Sequence, residues 1–241
     1  MPGTLIGVGV GPGDPELVTT RALRVLREAD RVVAPTLAVD AVGRAESIVR
    51  QAAPDVAVER LVFDMSPEPR PRRASHEAAA AALLGPLDAG ERVAFVTLGD
   101  PNIFSTFSAL AASVLATRPA TRVETVPGIM AFQALAARSG TVLLDGTESM
   151  RLVTAVDGPD AVTAALADTH QAVVVYKGGR HLPAIQKSLA GAGRLDGAVV
   201  GELLGLPGER VAPAAAWPDQ AATYLVTVIV PPGGRGGFEG P

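Results

Sequence analysis

The chain has 241 residues, about half of them hydrophobic, which suffices for one large α/β domain or two small ones. Its formal net charge of −4 argues against a nucleic-acid-binding protein, because phosphate contacts require a basic surface. The lack of cysteine excludes disulfides and thiolate metal sites, and the three histidines are too scattered for a zinc site, so we expect no bound metal.

Apolar runs alternate with helical patterns through the first half of the chain, which is typical of α/β construction. Strands are predicted at residues 5–10, 32–33, 56–63, 93–98 and 123–126, with Pro35 stopping the second. Helices are predicted at residues 20–29, 45–51, 76–87 and 105–116. The proline-rich segment 64–74 is predicted to be a loop.

A second series of elements follows. Its strands are predicted at residues 152–156, 172–176, 198–201 and 224–230, and its helices at 160–167 and 182–189. We expect two domains, residues 1–122 and 123–241, and a disordered tail at 231–241 that is rich in glycine and proline.

Glycines alternate through residues 7–13, directly after the first predicted strand. A phosphate-binding P-loop would need a following lysine, which is missing. The dinucleotide fingerprint also fails, because Pro12 stands where its last glycine should be. Two interpretations remain: an ordinary tight turn, or a loop whose backbone comes close to a ligand.

Two further turns follow buried strands, Gly-Asp-Pro at 99–101 and Pro-Gly at 127–128. Ligand sites in α/β sheets lie at the carboxyl ends of strands. Asp100 is suited to accept hydrogen bonds from ribose hydroxyls or to attract a positive sulfonium. The alternative is that Asp100 only ends its strand, while Ser105 caps the helix that follows.

These three loops resemble, in order and spacing, the cofactor loops of the tetrapyrrole methylase family, and the resemblance runs from Thr4 to about Val230. It implies two α/β domains of the tetrapyrrole methylase type with a cofactor cleft between them. It also implies S-adenosylmethionine as cofactor and a homodimer. The cofactor-binding residues that it implies are Pro12, Leu98, Gly99, Asp100, Ile103, Ser105, Thr106, Met130, Ala131, Lys177 and Leu204.

Finer features resemble the methyltransferases that act at C20 of precorrin-2. These are residues 61–65, the Ser-Thr-Phe run at 105–107 and Gly-Arg-Ala-Glu at 43–46. Asp64 replaces the usual proline and Phe104 the usual tyrosine. The segment 33–35 lacks the aspartate typical of uroporphyrinogen methylases. The resemblance thus implies methylation of a cobalamin-pathway tetrapyrrole at C20, with or without bound cobalt.

The implied substrate carries several carboxylates, which guanidinium groups pair with well. Arg70, Arg72 and Arg73 are therefore candidate substrate-binding residues, the alternative being a solvated charge run. No catalytic base can be named from the sequence.

Other functions stay open. Within the family these are the C17 methylation of precorrin-3B and the C11 methylation of precorrin-4, and on the same fold diphthine synthase or ribosomal-RNA ribose methylation. A non-catalytic nucleotide-binding module is the alternative of another class. The sequence has no long apolar run and no recognisable signal peptide, so we expect a cytoplasmic protein without membrane contact.

Overall fold

The computed structural model describes residues 2–64 and 69–234, with side chains left out at 69–72 and 234. The chain forms two compact units, Met1–Met130 and Ala131–Pro241. The expected boundary fell between residues 122 and 123, several residues earlier. The strand Arg122–Val126 belongs to the first unit because it pairs in register with Thr4–Gly9.

Short valine-rich runs form the three inner strands of the first unit, since both faces of the sheet are buried there. The strands are β1 Thr4–Gly9, β2 Arg31–Thr36, β3 Glu59–Val62, β4 Arg92–Thr97 and β5 Arg122–Val126. Their order in the sheet is β3-β2-β4-β1-β5, and every neighbouring pair is parallel. All the loops that follow these strands therefore emerge at one edge, the carboxyl edge.

Four helices cover this sheet: α1 Thr20–Glu28, α2 Arg44–Ala52, α3 Pro69–Asp88 and α4 Thr106–Thr117. Alternate strand residues point to opposite faces. Ile6 and Val8 join the apolar cluster with α1 and α2, whereas Leu5 joins the cluster with α3 and α4. The helices thus lie on both faces, as in other parallel sheets.

The second unit has a mixed sheet. Its elements are α5 Ala131–Ser139, β6 Ser149–Thr154, α6 Asp160–Ala165, β7 Gln171–Tyr176, α7 Leu182–Gly191, β8 Val199–Glu202, β9 Arg210–Pro213 and β10 Val226–Val230. The order is β6-β7-β10-β8-β9, in which only β6 and β7 are parallel. One apolar cluster contains α6 and α7, and another contains Leu135 of α5.

Three sequence predictions about local structure were wrong. Strand β2 continues through Pro35. Its pairing with β4 ends at Val33, so the N–H group that Pro35 lacks is not needed for a hydrogen bond to β4. Helix α3 begins at Pro69, within the predicted loop 64–74, because the first turn of a helix has no use for its N–H groups. Residues 65–68 lie outside the described part of the chain.

The third error concerns the predicted disordered tail. Residues 231–234 are described, and Pro231 and Pro232 are buried. Buried Arg194 donates to the carbonyl oxygen of Pro231 at 2.9 Å, and Gly233 N–H donates to that of Thr169 at 3.0 Å. These bonds fix the start of the tail, and residues 235–241 lie outside the described part.

Candidate functional site

Three loops meet at the carboxyl edge of the first sheet. They follow β1, β4 and β5 and span residues 10–14, 98–105 and 127–130. Because β1 lies between β4 and β5, the three loops are neighbours. The Gly99 N–H donates to the Gly11 carbonyl oxygen at 2.8 Å, which joins the first loop to the second.

Glycines allow these backbones to touch. A Cβ on Gly9 would lie 2.4 Å from the Gly99 carbonyl oxygen and 2.7 Å from the Gly128 nitrogen. A Cβ on Gly128 would lie 2.1 Å from the same Gly99 oxygen. Both contacts are far closer than any side chain tolerates. Gly11 and Gly99 also adopt φ values of 80° and 64°, which favour glycine.

Asp100 ties the second loop to the third. Its carboxylate is buried, with one oxygen accepting from the Asn102 N–H at 2.8 Å and the other from the Gly128 N–H at 3.1 Å. The Asn102 amide adds a bond of 3.3 Å to the Thr125 hydroxyl. Asp100 therefore positions both loops, a role that its place after a strand did not reveal.

Ser105 caps α4, as one interpretation of the sequence held. Its hydroxyl accepts from the Phe107 N–H at 3.1 Å and lies 3.0 Å from the Thr97 hydroxyl. Thr106 is half-buried in the first turn of the helix. Ile103 and Phe104 are 37% and 46% exposed. The loop therefore presents apolar side chains to solvent from a fixed backbone.

The other predicted cofactor residues of the first unit differ in exposure. Pro12 and Met130 are buried, and Leu98 is half-buried against the α1–α2 cluster. The Met130 sulfur would lie 3.0 Å from a Cβ built on Gly99, so it closes over the second loop. The first unit thus brings together Gly99, Asp100 and Met130 in direct contact with the glycine-rich loops.

The remaining predicted cofactor residues, Ala131, Lys177 and Leu204, lie in the second unit. Ala131 begins α5, and Leu204 is buried in the cluster that contains Leu135. Lys177 follows β7 with a φ of 59°, and its Nζ lies 5.8 Å from the centre of the Tyr224 ring. A positive φ at a residue other than glycine is strained and is typical of functional sites.

Tyr176 lies next to the predicted site residue Lys177 and was not itself predicted to be one. Its hydroxyl oxygen accepts from the Phe132 N–H at 3.1 Å, in the first turn of α5 directly after Ala131. Burial raises the pKa of the Tyr176 phenol above its usual value, so the hydroxyl stays protonated. In the sequence, the feature that could have drawn attention to Tyr176 is its polar hydroxyl at the end of an otherwise apolar strand.

The predicted substrate arginines are only partly described. The side chains of Arg70 and Arg72 lie outside the described part. Arg73 is highly exposed and pairs with Glu77, one turn along α3, at 2.9 Å. Among the described residues, no cluster of three or more histidine or acidic side chains suits a metal ion. No described helix is both long and apolar enough to cross a membrane.

Loops joined at the carboxyl edge of a parallel sheet are where α/β proteins bind ligands. The family model of the tetrapyrrole (corrin/porphyrin) methylases matches residues 4–216. The chain belongs to this family, which confirms the resemblance seen in the sequence and the expectation of two α/β domains of this type.

The chain is also similar to individual members of this family. The chain is 32% identical to a precorrin-2 C(20)-methyltransferase of Sinorhizobium sp, over 95% of both chains. It is 33% identical to a cobalt-precorrin-2 C(20)-methyltransferase of Salmonella typhimurium, over 87% of both. A solved structure with the same fold is uroporphyrin-III C-methyl transferase from Thermus thermophilus, complexed with S-adenyl homocysteine. It has a TM-score of 0.66 and 24% identity, over 95% of this chain and 97% of that one.

Proposed function

We propose that this protein is an S-adenosylmethionine-dependent methyltransferase that methylates C20 of precorrin-2 or of its cobalt-bound counterpart. The observation that carries the proposal is the similarity, over most of the chain, to relatives named for these two reactions. The Ser-Thr-Phe run at 105–107 supports the same subfamily from the sequence.

The chemistry of the three loops fits a sulfonium cofactor. Residues 10–14, 98–105 and 127–130 contain two carboxylates, Asp14 and Asp100, and no lysine or arginine. A phosphate group would be repelled there, whereas a positive sulfonium is attracted. The residues proposed to hold the cofactor are Pro12, Leu98, Gly99, Asp100, Ile103, Ser105, Thr106, Met130, Ala131, Lys177 and Leu204.

When bound, S-adenosylmethionine would supply its sulfur-bound methyl group to C20 of the substrate, with neutral S-adenosylhomocysteine as the leaving group, and C20 would then lose its proton. The protein's task is alignment, because in-line transfer depends on the position of the two reacting atoms. Asp100 contributes by fixing the loops after β4 and β5 at one separation. Ile103 and Phe104 supply apolar surface that excludes water from the reacting atoms.

Methylation assays with defined substrates test the proposal. The purified chain is incubated with radiolabelled S-adenosylmethionine and, separately, precorrin-2, cobalt-precorrin-2, precorrin-3B and precorrin-4. We expect one added methyl group, at C20, located by mass spectrometry and NMR. Methylation at C17 or C11 would assign one of the alternative ring positions. Cofactor binding without transfer to any of the four would contradict the proposal and favour a nucleotide-binding module.

We also propose that the protein is a cytoplasmic homodimer and that Arg70, Arg72 and Arg73 contact the substrate. The family resemblance supports the dimer, and the pairing of guanidinium groups with carboxylates supports the arginines. Sedimentation equilibrium tests the dimer, fractionation of the producing cells tests the location, and charge-removing substitutions of the three arginines test the substrate contact. Unchanged KM values for the tetrapyrrole in all three variants would leave the cluster as a solvated charge run.

A further inference from the structure

The loop between β2 and α2 exposes an unusual apolar group. Leu37, Val39 and Val42 are 70%, 74% and 55% exposed, within a stretch of six residues. The loop leaves the carboxyl end of β2, which pairs directly with β4. It therefore lies at the same sheet edge as the loop 98–105 and next to it.

This loop is held by two polar side chains. The buried Thr36 hydroxyl lies 2.9 and 2.7 Å from the carbonyl oxygens of Ala38 and Ala41, either of which accepts its hydrogen. The Arg60 guanidinium, on the edge strand β3, donates to the Val39 carbonyl oxygen at 2.9 Å. The backbone that carries the exposed side chains is therefore fixed by hydrogen bonds from Thr36 and Arg60.

Arg60 is itself fixed by a buried carboxylate. Glu46 is fully buried and accepts two bonds from Arg60, at 2.8 and 3.0 Å, which use both carboxylate oxygens. Arg50, one turn along α2, donates to the same carboxylate at 2.9 and 2.6 Å. Hydrogen bonding from Arg60 lowers the pKa of Glu46, so the carboxylate is charged at neutral pH. The bidentate pair fixes the orientation of the guanidinium.

We propose that Arg60 is a positioning residue that holds Leu37, Val39 and Val42 as a preformed contact for the flat apolar face of the tetrapyrrole. The inference rests on the proposed function. Apolar side chains on a fixed backbone bind with little loss of conformational freedom. Asp40, in the same loop, would repel the carboxylates on the substrate rim, so the contact is made with the ring face.

The Arg60→Lys variant isolates this role. Lysine keeps a positive charge beside Glu46 but cannot bridge to the Val39 carbonyl as the guanidinium does. We expect the KM for precorrin-2 to rise roughly tenfold, with kcat and the Kd for S-adenosylhomocysteine within about twofold of wild type. Amide hydrogen exchange in residues 37–43 should accelerate. Arg50→Lys is the matched control, since it alters the same carboxylate, and should change none of these quantities.

The double variant Leu37→Ser/Val39→Ser removes the contact itself and leaves the buried network intact. It should raise the same KM without faster exchange, and it keeps the test decisive if Arg60→Lys fails to fold. A wild-type KM for precorrin-2 in the double variant would overturn the inference about the loop. If that variant still methylates precorrin-2, the proposed function is unaffected by this result. A shift from dimer to monomer in the double variant would also overturn it, by assigning the loop to a contact between copies.

Discussion

Asp100 offers the most direct test of how the site is built. Replacing it with asparagine keeps the shape but turns one acceptor oxygen into an NH2 group that faces a backbone N–H, at Asn102 or Gly128. Losing one charge-assisted bond in a buried place costs about 1.5–3 kcal/mol. If the loops after β4 and β5 then separate, part of this cost lowers the free energy of unfolding and the rest weakens cofactor binding.

Calorimetric titration with S-adenosylhomocysteine and S-adenosylmethionine measures the second share. Every 1.4 kcal/mol changes Kd about tenfold, so half of that cost, about 0.7–1.5 kcal/mol, predicts that Asp100→Asn weakens the binding of both ligands by roughly three- to tenfold. S-adenosylmethionine carries the extra positive charge. A larger loss for it than for S-adenosylhomocysteine would place the Asp100 carboxylate beside the sulfonium, whereas equal losses would leave Asp100 with positioning alone.

The control is Asp168→Asn, in the second unit. Asp168 also accepts from the N–H two residues along, at His170 and 2.9 Å, but it is exposed, so it repeats the turn bond of Asp100 without the buried link to a second loop. It should leave both affinities unchanged. Wild-type affinities in Asp100→Asn itself would refute the reasoning that the link between the two loops shapes the cofactor site.

Three further perturbations act on other parts of the molecule. Gly128→Ala should lower S-adenosylhomocysteine affinity at least about tenfold, because the new methyl group collides with a carbonyl oxygen of the loop after β4; titration with circular dichroism checks it. Tyr176→Phe should cost about 1 kcal/mol in the free energy of unfolding, measured with denaturant, since the Phe132 N–H loses its acceptor. The stability that Glu46 adds is complete above its ordinary pKa of 4.5 and is lost as pH falls through its lowered pKa, so Glu46→Gln should flatten the acid side of the unfolding curve.

Each of these has its own comparison. Gly85→Ala, in α3 with nothing near its Cβ, should leave binding unchanged, and equal binding by Gly128→Ala would contradict the collision. Tyr224→Phe alters a half-exposed ring and should be neutral; an equal loss there would remove the special role of Tyr176. An unchanged acid limb in Glu46→Gln would mean that other carboxylates govern acid unfolding.

Strands β1, β2 and β4 of the first unit were predictable because they are buried on both faces and therefore read as apolar runs. Strand β9 and helix α5 were missed. Strand β9 is half-exposed at a sheet edge and has no apolar run, while α5 is short and directly follows a Pro-Gly turn. The start of α3 was hidden by its prolines, which signal a loop everywhere except in the first turn of a helix.

The sequence predicted the loops of the candidate site but not the hydrogen bonds that join them. Glycine, proline and aspartate mark turns at strand ends, so the sequence located residues 99–101 and 127–128. The bond from Gly128 to Asp100 joins residues 28 positions apart, and that distance depends on the strand order and register. The same holds for Arg60 and Glu46, which lie 14 positions apart in the sequence and whose bidentate pairing depends on the fold.

The position of β1 between two other strands of its sheet has a consequence for biosynthesis. Both of its neighbours, β4 and β5, are encoded much later, at Arg92–Thr97 and Arg122–Val126. During synthesis β1 therefore emerges before both of its partner strands. Its backbone N–H and C=O groups stay unpaired on both sides until β4 and β5 have been made. Long-range pairing of this kind is slow and leaves sticky edges exposed, so nascent chains stalled before Arg122 are expected to be substrates for chaperones.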